Sequence, residues 1–129
     1  VIYTVDSTRK FLNVRNGSQE VCTIKYVTFT SAPANNVSII SAVTGKKIRV
    51  VQMFGQSSDA AIGAVRFESP AGTTIMNSVW LPLGTTAGQL FLLPHNESGW
   101  FESGTAEAIV ADIATDDVNV TLGYIEYTP

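Results

Sequence analysis

Apolar residues recur along this chain with a period of two, and turn formers interrupt them every ten to twelve residues. Over residues 118–125, Val118, Val120, Leu122 and Tyr124 share one face, while Asn119, Thr121, Gly123 and Ile125 share the other. That is the pattern of a strand with one buried side. Over residues 63–69, Val65 and Phe67 oppose Arg66 and Glu68. Lys47 and Arg49 oppose Ile48 and Val50 in the same way, but Val51 and Met53 then place apolar residues on the charged face. A β-bulge, or passage into a region covered on both sides, explains such a slip. Residues 20–30 behave similarly: Cys22, Ile24 and Tyr26 share a face before Val27 and Phe29 take over on the other. Runs at 37–43, 73–81 and 89–93 complete the strands, rich in the β-branched and aromatic residues that suit a pleated, half-buried surface.

Asn16-Gly17, the Pro33 and Asn35-Asn36 segment, Thr44-Gly45, Pro70-Ala71-Gly72, Leu83-Gly84 and Ser98-Gly99 supply the turns. Residues 105–115 admit a helix, because Ile109, Val110 and Ile113 have helical spacing. Thr105 is not followed at the third position by the acid of a capping box, so a strand through Ile109, Ala111 and Ile113 is favoured. The expectation is an all-β chain: a single antiparallel β-sandwich, jelly-roll-like, of about eight strands over residues 21–129. Residues 1–20 read either as an N-terminal arm lying on a neighbour or as an edge hairpin.

Composition narrows the function classes. The chain has 129 residues, one domain's worth, with 45% apolar and only 15% charged residues against a usual value near 25%. A net charge of −3 excludes a disordered acidic tail and makes no case for nucleic-acid binding. The single Cys22 excludes an intrachain disulfide, and with the single His95 it cannot form a zinc site. No apolar run approaches the roughly 18 residues of a membrane span, and no signal-peptide pattern is visible. The start at Val1 is compatible with a processed leader.

Charge is divided along the chain. All eight cations lie in residues 1–66 with three acids, a net of +5, and the remaining eight acids lie in 67–129 without any Lys or Arg. Either strand interleaving mixes these charges in space, or opposite surfaces meet different neighbours or further copies of the chain. In the second case Arg9, Lys10, Arg15, Lys46, Lys47 and Arg49 are the candidate partner-binding residues.

Candidate chemistry is sparse. His95 follows a proline in a polar turn, and Ser57-Ser58 lack the Gly-x-Ser-x-Gly elbow of a hydrolase nucleophile. Glu97 and Glu102 flank Trp100 in the manner of a glycosidase pair, but spacing in sequence does not establish a sugar-sized cleft between them. Thr44-Gly45-Lys46-Lys47 lacks the upstream glycine and the following Ser or Thr of a P-loop. The four Asn-x-Ser/Thr sites, at Asn16, Asn36, Asn96 and Asn119, are explained by composition. Trp80 and Trp100 suit a core or subunit interface, or sugar stacking if exposed. Cys22 reads as a small buried hydrophobe. No catalytic residue, metal ligand or cofactor is expected.

The stretch 92–109, Leu-Leu-Pro-His-Asn-Glu-Ser-Gly-Trp-Phe-Glu-Ser-Gly-Thr-Ala-Glu-Ala-Ile, is followed by Val120-Thr121-Leu122-Gly123-Tyr124-Ile125. Together they resemble the C-terminal half of small β-sandwich virion structural proteins of tailed bacteriophages, of the capsid cement or decoration type. Gly45-Lys46-Lys47-Ile48-Arg49-Val50 resembles a strand start of the same family. The likeness spans residues 45–127. It implies a jelly-roll protein on the outer capsid surface of the virion, a homo-oligomer, expected as a trimer, that contacts the major capsid protein. No nucleic acid or membrane is implied as a partner. The Gly-Trp-Phe corner at 99–101 is expected to place two rings in the core or on an axis, with Glu102 and Glu107 facing solvent or a partner's basic strand. The family resemblance also admits a receptor- or carbohydrate-binding module of a tail or fibre.

Overall fold

The computed structural model describes residues 10–15, 18–57, 63–75, 81–82 and 91–129. Strands β1 (Lys10–Arg15), β2 (Ser18–Thr23), β3 (Lys25–Ser31), β4 (Ala34–Ile40), β5 (Lys47–Ser57) and β6 (Ala64–Glu68) are followed by five more. These are β7 (Leu81–Pro82), β8 (Phe91–Leu93), β9 (Phe101–Glu102), β10 (Ile109–Ala114) and β11 (Val118–Tyr127). No helix occurs among the described residues. The segment with rival helical spacing is the strand β10, with Ile109, Ala111 and Ile113 buried on one side.

All pairing is antiparallel, and it is nested. β3 pairs with β11, β4 with β10, β5 with β8 and β9, and β6 with β7. Two further pairings, β11 with β5 and β10 with β6, close the two sheets in the orders β3-β11-β5-β8 and β4-β10-β6-β7. A two-ply ribbon that pairs first strand with last, second with next-to-last, and rolls over itself is a jelly roll. Among the described residues the two sheets hold nine strands, with β8 and β9 sharing one edge of β5.

The main core lies between the sheets. Val118, Val120 and Leu122 of β11 and Ile48, Val50 and Met53 of β5 meet Val65 and Phe67 of β6 and Ile109, Ala111 and Ile113 of β10. Phe67 stacks on Phe101 at 4.8 Å between centroids and meets Phe29 edge-on at 6.5 Å, geometries that add to the area these rings bury.

The slip in the β5 pattern is a bulge. Gly123 pairs with Gln52 but Tyr124 pairs with Val50, leaving Val51 as an extra residue. Inward parity therefore runs Ile48, Val50, then Met53, while Val51 joins Cys22, Ile125 and Tyr127 in a second buried cluster on the other side of the sheet. β2 supplies Cys22 and so covers that side, and β1 pairs with β2 from Lys10↔Thr23 to Arg15↔Ser18. Residues 20–30 are thus two strands broken at Ile24, one over the second cluster and one in the sandwich. Ser18–Thr23 crosses the expected boundary at residue 20, and residues 1–9, the remainder of the expected arm, lie outside the described residues, as does the Asn16-Gly17 turn.

Candidate functional site

The outer side of the β3-β11-β5-β8 sheet carries two unlike surfaces. One is the hairpin end, where β2 lies against the start of β5 and the end of β11. Lys46 donates to Glu20 Oε1 at 2.7 Å and to Thr128 Oγ1 at 2.7 Å, and the Thr128 N–H donates to Glu20 Oε2 at 2.7 Å. Burial pushes the Glu20 carboxyl pKa up, but the Lys46 ammonium and Thr128 N–H outweigh it and hold the group below its ordinary value. Beside it, Arg49 lies over the Tyr127 ring at 4.4 Å and donates from Nε to Glu102 at 3.4 Å. Glu102 also accepts from Lys47 at 3.5 Å and from the Tyr127 hydroxyl at 2.6 Å. Gly99, at φ +82°, leaves the space that the Arg49 stem occupies.

Lys46, Lys47 and Arg49 therefore gather at the start of β5, whereas Lys10 and Arg15 stand at the two opposite ends of β1, across from Thr23 and Ser18. Arg9 lies outside the described residues. The three described cations all have carboxylate partners within the chain. Elsewhere Lys25 pairs with Glu126 and Arg66 with Asp112. Four of these cations, Lys25, Lys47, Arg49 and Arg66, reach acids from residues 67–129, so strand interleaving does mix much of the charge division.

The second surface is uncharged. Register places Thr28, Thr121, Phe54 and Leu92 in one row across the four strands, with Tyr26, Gly123 and Gln52 in the next row, and Thr30, Asn119 and Gln56 on the other side. Alternation with inward-facing Val27, Phe29, Val120, Leu122 and Met53 puts all of these outward. Thr28 and Thr121 hydrogen-bond through their hydroxyls at 2.8 Å. Tyr26 leans over Gly123, where an added Cβ would come 3.0 Å from the ring. Trp100 precedes inward-facing Phe101 and therefore falls on this outer side, with its indole N–H donated to the Pro94 carbonyl at 2.8 Å. Of the two rings of the Gly-Trp-Phe corner, expected in the core or on an axis, Phe101 is in the core and Trp100 is 39% exposed. Glu102, on the outer side too and partly exposed, meets Lys47 and Arg49 of this chain's own basic strand. Neither Tyr26 nor Phe54 was singled out as a surface residue from sequence. Their parity opposite Val27 and Met53 was the available signal, obscured by the breaks at Ile24 and Val51.

The residues with possible catalytic chemistry do not converge. His95 is exposed, 3.9 Å from Glu97. The neighbouring Asn96 N–H bonds the Val51 carbonyl, about 20 Å along β5 from Ser57. Ser57 instead donates to Asp116 and to the Asp117 carbonyl at 3.3 Å each. Glu97 gives its carbonyl to Arg49, and Glu102 lies in the ion-pair cluster. Trp80 lies outside the described residues. Among the described residues, no three His, Cys, Asp or Glu side chains stand together in a way that could hold a metal ion, and no helix is long and apolar enough to cross a membrane.

On the opposite sheet, Asp112 of β10 is buried between β4 and β6, accepting the Asn36 N–H at 2.8 Å and the Arg66 guanidinium at 2.8 Å. Burial pushes its carboxyl up, but those two donors, with a contribution from Glu68, hold it below its ordinary value. Its role is structural: it ties β4 and β6 to the central β10.

No known family model matches this chain, and no curated protein matches it in sequence.

Proposed function

We propose that this chain is a structural virion protein of a tailed bacteriophage, a capsid cement or decoration protein bound to the major capsid protein on the outer shell. In this reading it is a homo-oligomer, a trimer, and neither an enzyme nor a cofactor-, nucleic-acid- or membrane-binding protein. The resemblance of residues 45–127 supports the virion assignment, and a jelly roll suits a rigid cladding module. The observation that carries the docking mode is the hairpin end, where the three cations Lys46, Lys47 and Arg49 stand against the two carboxylates that pair with them, Glu20 and Glu102. Such an excess draws the module to an acidic shell, and surface buried across neighbouring subunits then resists their separation.

Exposed ion pairs are screened over about 8 Å at physiological ionic strength. Immunogold labelling is expected on heads, with release of the protein as salt rises and loss of rebinding in a Lys46→Glu, Lys47→Glu double variant that still folds. Labelling absent from heads, or release indifferent to salt and to this reversal, overturns the proposal.

A second reading, a receptor- or carbohydrate-binding module of a tail or fibre, is favoured by the exposure of Trp100. Labelling of tails or fibres would select it.

A further inference from the structure

We propose that the uncharged outer side of the β3-β11-β5-β8 sheet is a binding site for a neutral glycan, wherever on a particle the module resides. Among the described residues, four of the five exposed large hydrophobic side chains lie there: Tyr26 at 44%, Phe54 at 36%, Leu92 at 54% and Trp100 at 39% exposure. With about 150–250 Å² on each large side chain, they present about 350 Å² together, the size of a functional patch on a monomer. Standard protein interfaces take about 800 Å² per partner, so these four side chains alone fall well short of a second folded chain. The platform, three rows by four strands, measures about 14 Å by 14 Å, the scale of a short run of sugar rings.

The chemistry of the face selects the ligand. Gln52, Gln56, Asn119, Thr28, Thr30 and Thr121 interleave with the rings, and among the described residues no charged one stands in these rows. Amides and hydroxyls both donate and accept, as sugar hydroxyls require, while the C–H faces of a pyranose stack on aromatic rings. A nucleic acid or acidic polysaccharide would need cations that these rows lack. The rings are also held in place. The Trp100 indole N–H is committed to Pro94, and the Tyr26 ring is seated on Gly123, so little freedom is lost on binding.

The test is native electrophoresis of the full chain through gels containing galactomannan, hydroxyethylcellulose or dextran, with alginate as the acidic counterpart. Retardation by at least one neutral polymer is expected, unchanged between about 50 and about 500 mM salt. Phe54→Ala and Trp100→Ala should each weaken it about tenfold with far-UV circular dichroism unchanged. Val21→Ala, on the hairpin strand facing away from Cys22 and the sheet, should leave it intact. Retardation by no neutral polymer, or by alginate alone, overturns the proposal. So does sedimentation showing a wild-type oligomer that Phe54→Ala converts to monomer, which would make this face a contact between copies. None of these outcomes bears on head labelling, which tests the virion reading separately.

Discussion

The Arg49 guanidinium lies 4.4 Å above the ring of Tyr127, the penultimate residue but one of the chain. Both side chains reach Glu102, Arg49 through Nε and Tyr127 through its hydroxyl. The contact ties the end of β11 to the start of β5 and to β9, at the second cluster, which Tyr127 shares with Cys22 of the hairpin. Arg49→Ala should therefore lower stability by about 1–2 kcal/mol, through the lost cation–π contact and the bonds to Glu102 and the Glu97 carbonyl. Gly99→Ala should cost at least about 1 kcal/mol by another route. Its backbone is left-handed, and the new Cβ would strike the Arg49 stem. Urea midpoints of both variants check this, and a midpoint unchanged in either would refute the corresponding contact.

Acid should weaken the fold through Asp112 and Glu20. Both carboxyls are held below their ordinary values of 3.8 and 4.5 in the folded chain. A depressed folded pKa gives stability that is complete above the unfolded pKa and is lost as pH falls through the folded one. Stability is therefore predicted to be insensitive to these groups above pH 5 and to decline below it. Asp112→Asn keeps an oxygen for the Asn36 N–H but loses the charged bond to Arg66. It should be about 1–2 kcal/mol less stable than wild type at pH 7, and the gap should close as pH drops below 3.8. Denaturation curves at pH 7 and pH 3 measure both.

Cys22 reports on the hairpin. Burial first, and then Glu20, push its thiol up to about 11, against the opposing pull of Lys46 and Arg49. Since the thiolate is the nucleophile, iodoacetamide at pH 8 should label the native protein on the order of 10²-fold more slowly than the urea-unfolded chain. Equal rates would mean that the hairpin does not cover the second cluster.

Much of this architecture can be read from residue order alone. Alternation in 63–69 and 118–125 marks β6 and most of β11, and the slip at Val51 marks the bulge and the region covered on both sides. Glu68 is less legible: it alternates outward with Arg66 yet is buried, because the 69–74 loop folds back and gives it the Gly72 N–H. The two rings at 100–101 look alike in sequence but separate onto opposite sides of the sheet, a consequence of adjacency on a strand. The neutral face escapes any linear reading. Its members come from four strands up to about a hundred residues apart, and only the nested pairing sets Thr28, Thr121, Phe54 and Leu92 in one row.

Cryo-electron microscopy of the intact particle carrying this chain tests the functional account most directly. The predicted result is a jelly roll on the outer head surface, with the hairpin end bearing Lys46, Lys47 and Arg49 toward the shell. Tyr26, Phe54, Leu92 and Trp100, farther along the same side of the sheet, should then stay clear of the shell. A sandwich found only in the tail or fibres, or one whose Phe54 and Leu92 face is buried against the shell, would contradict it.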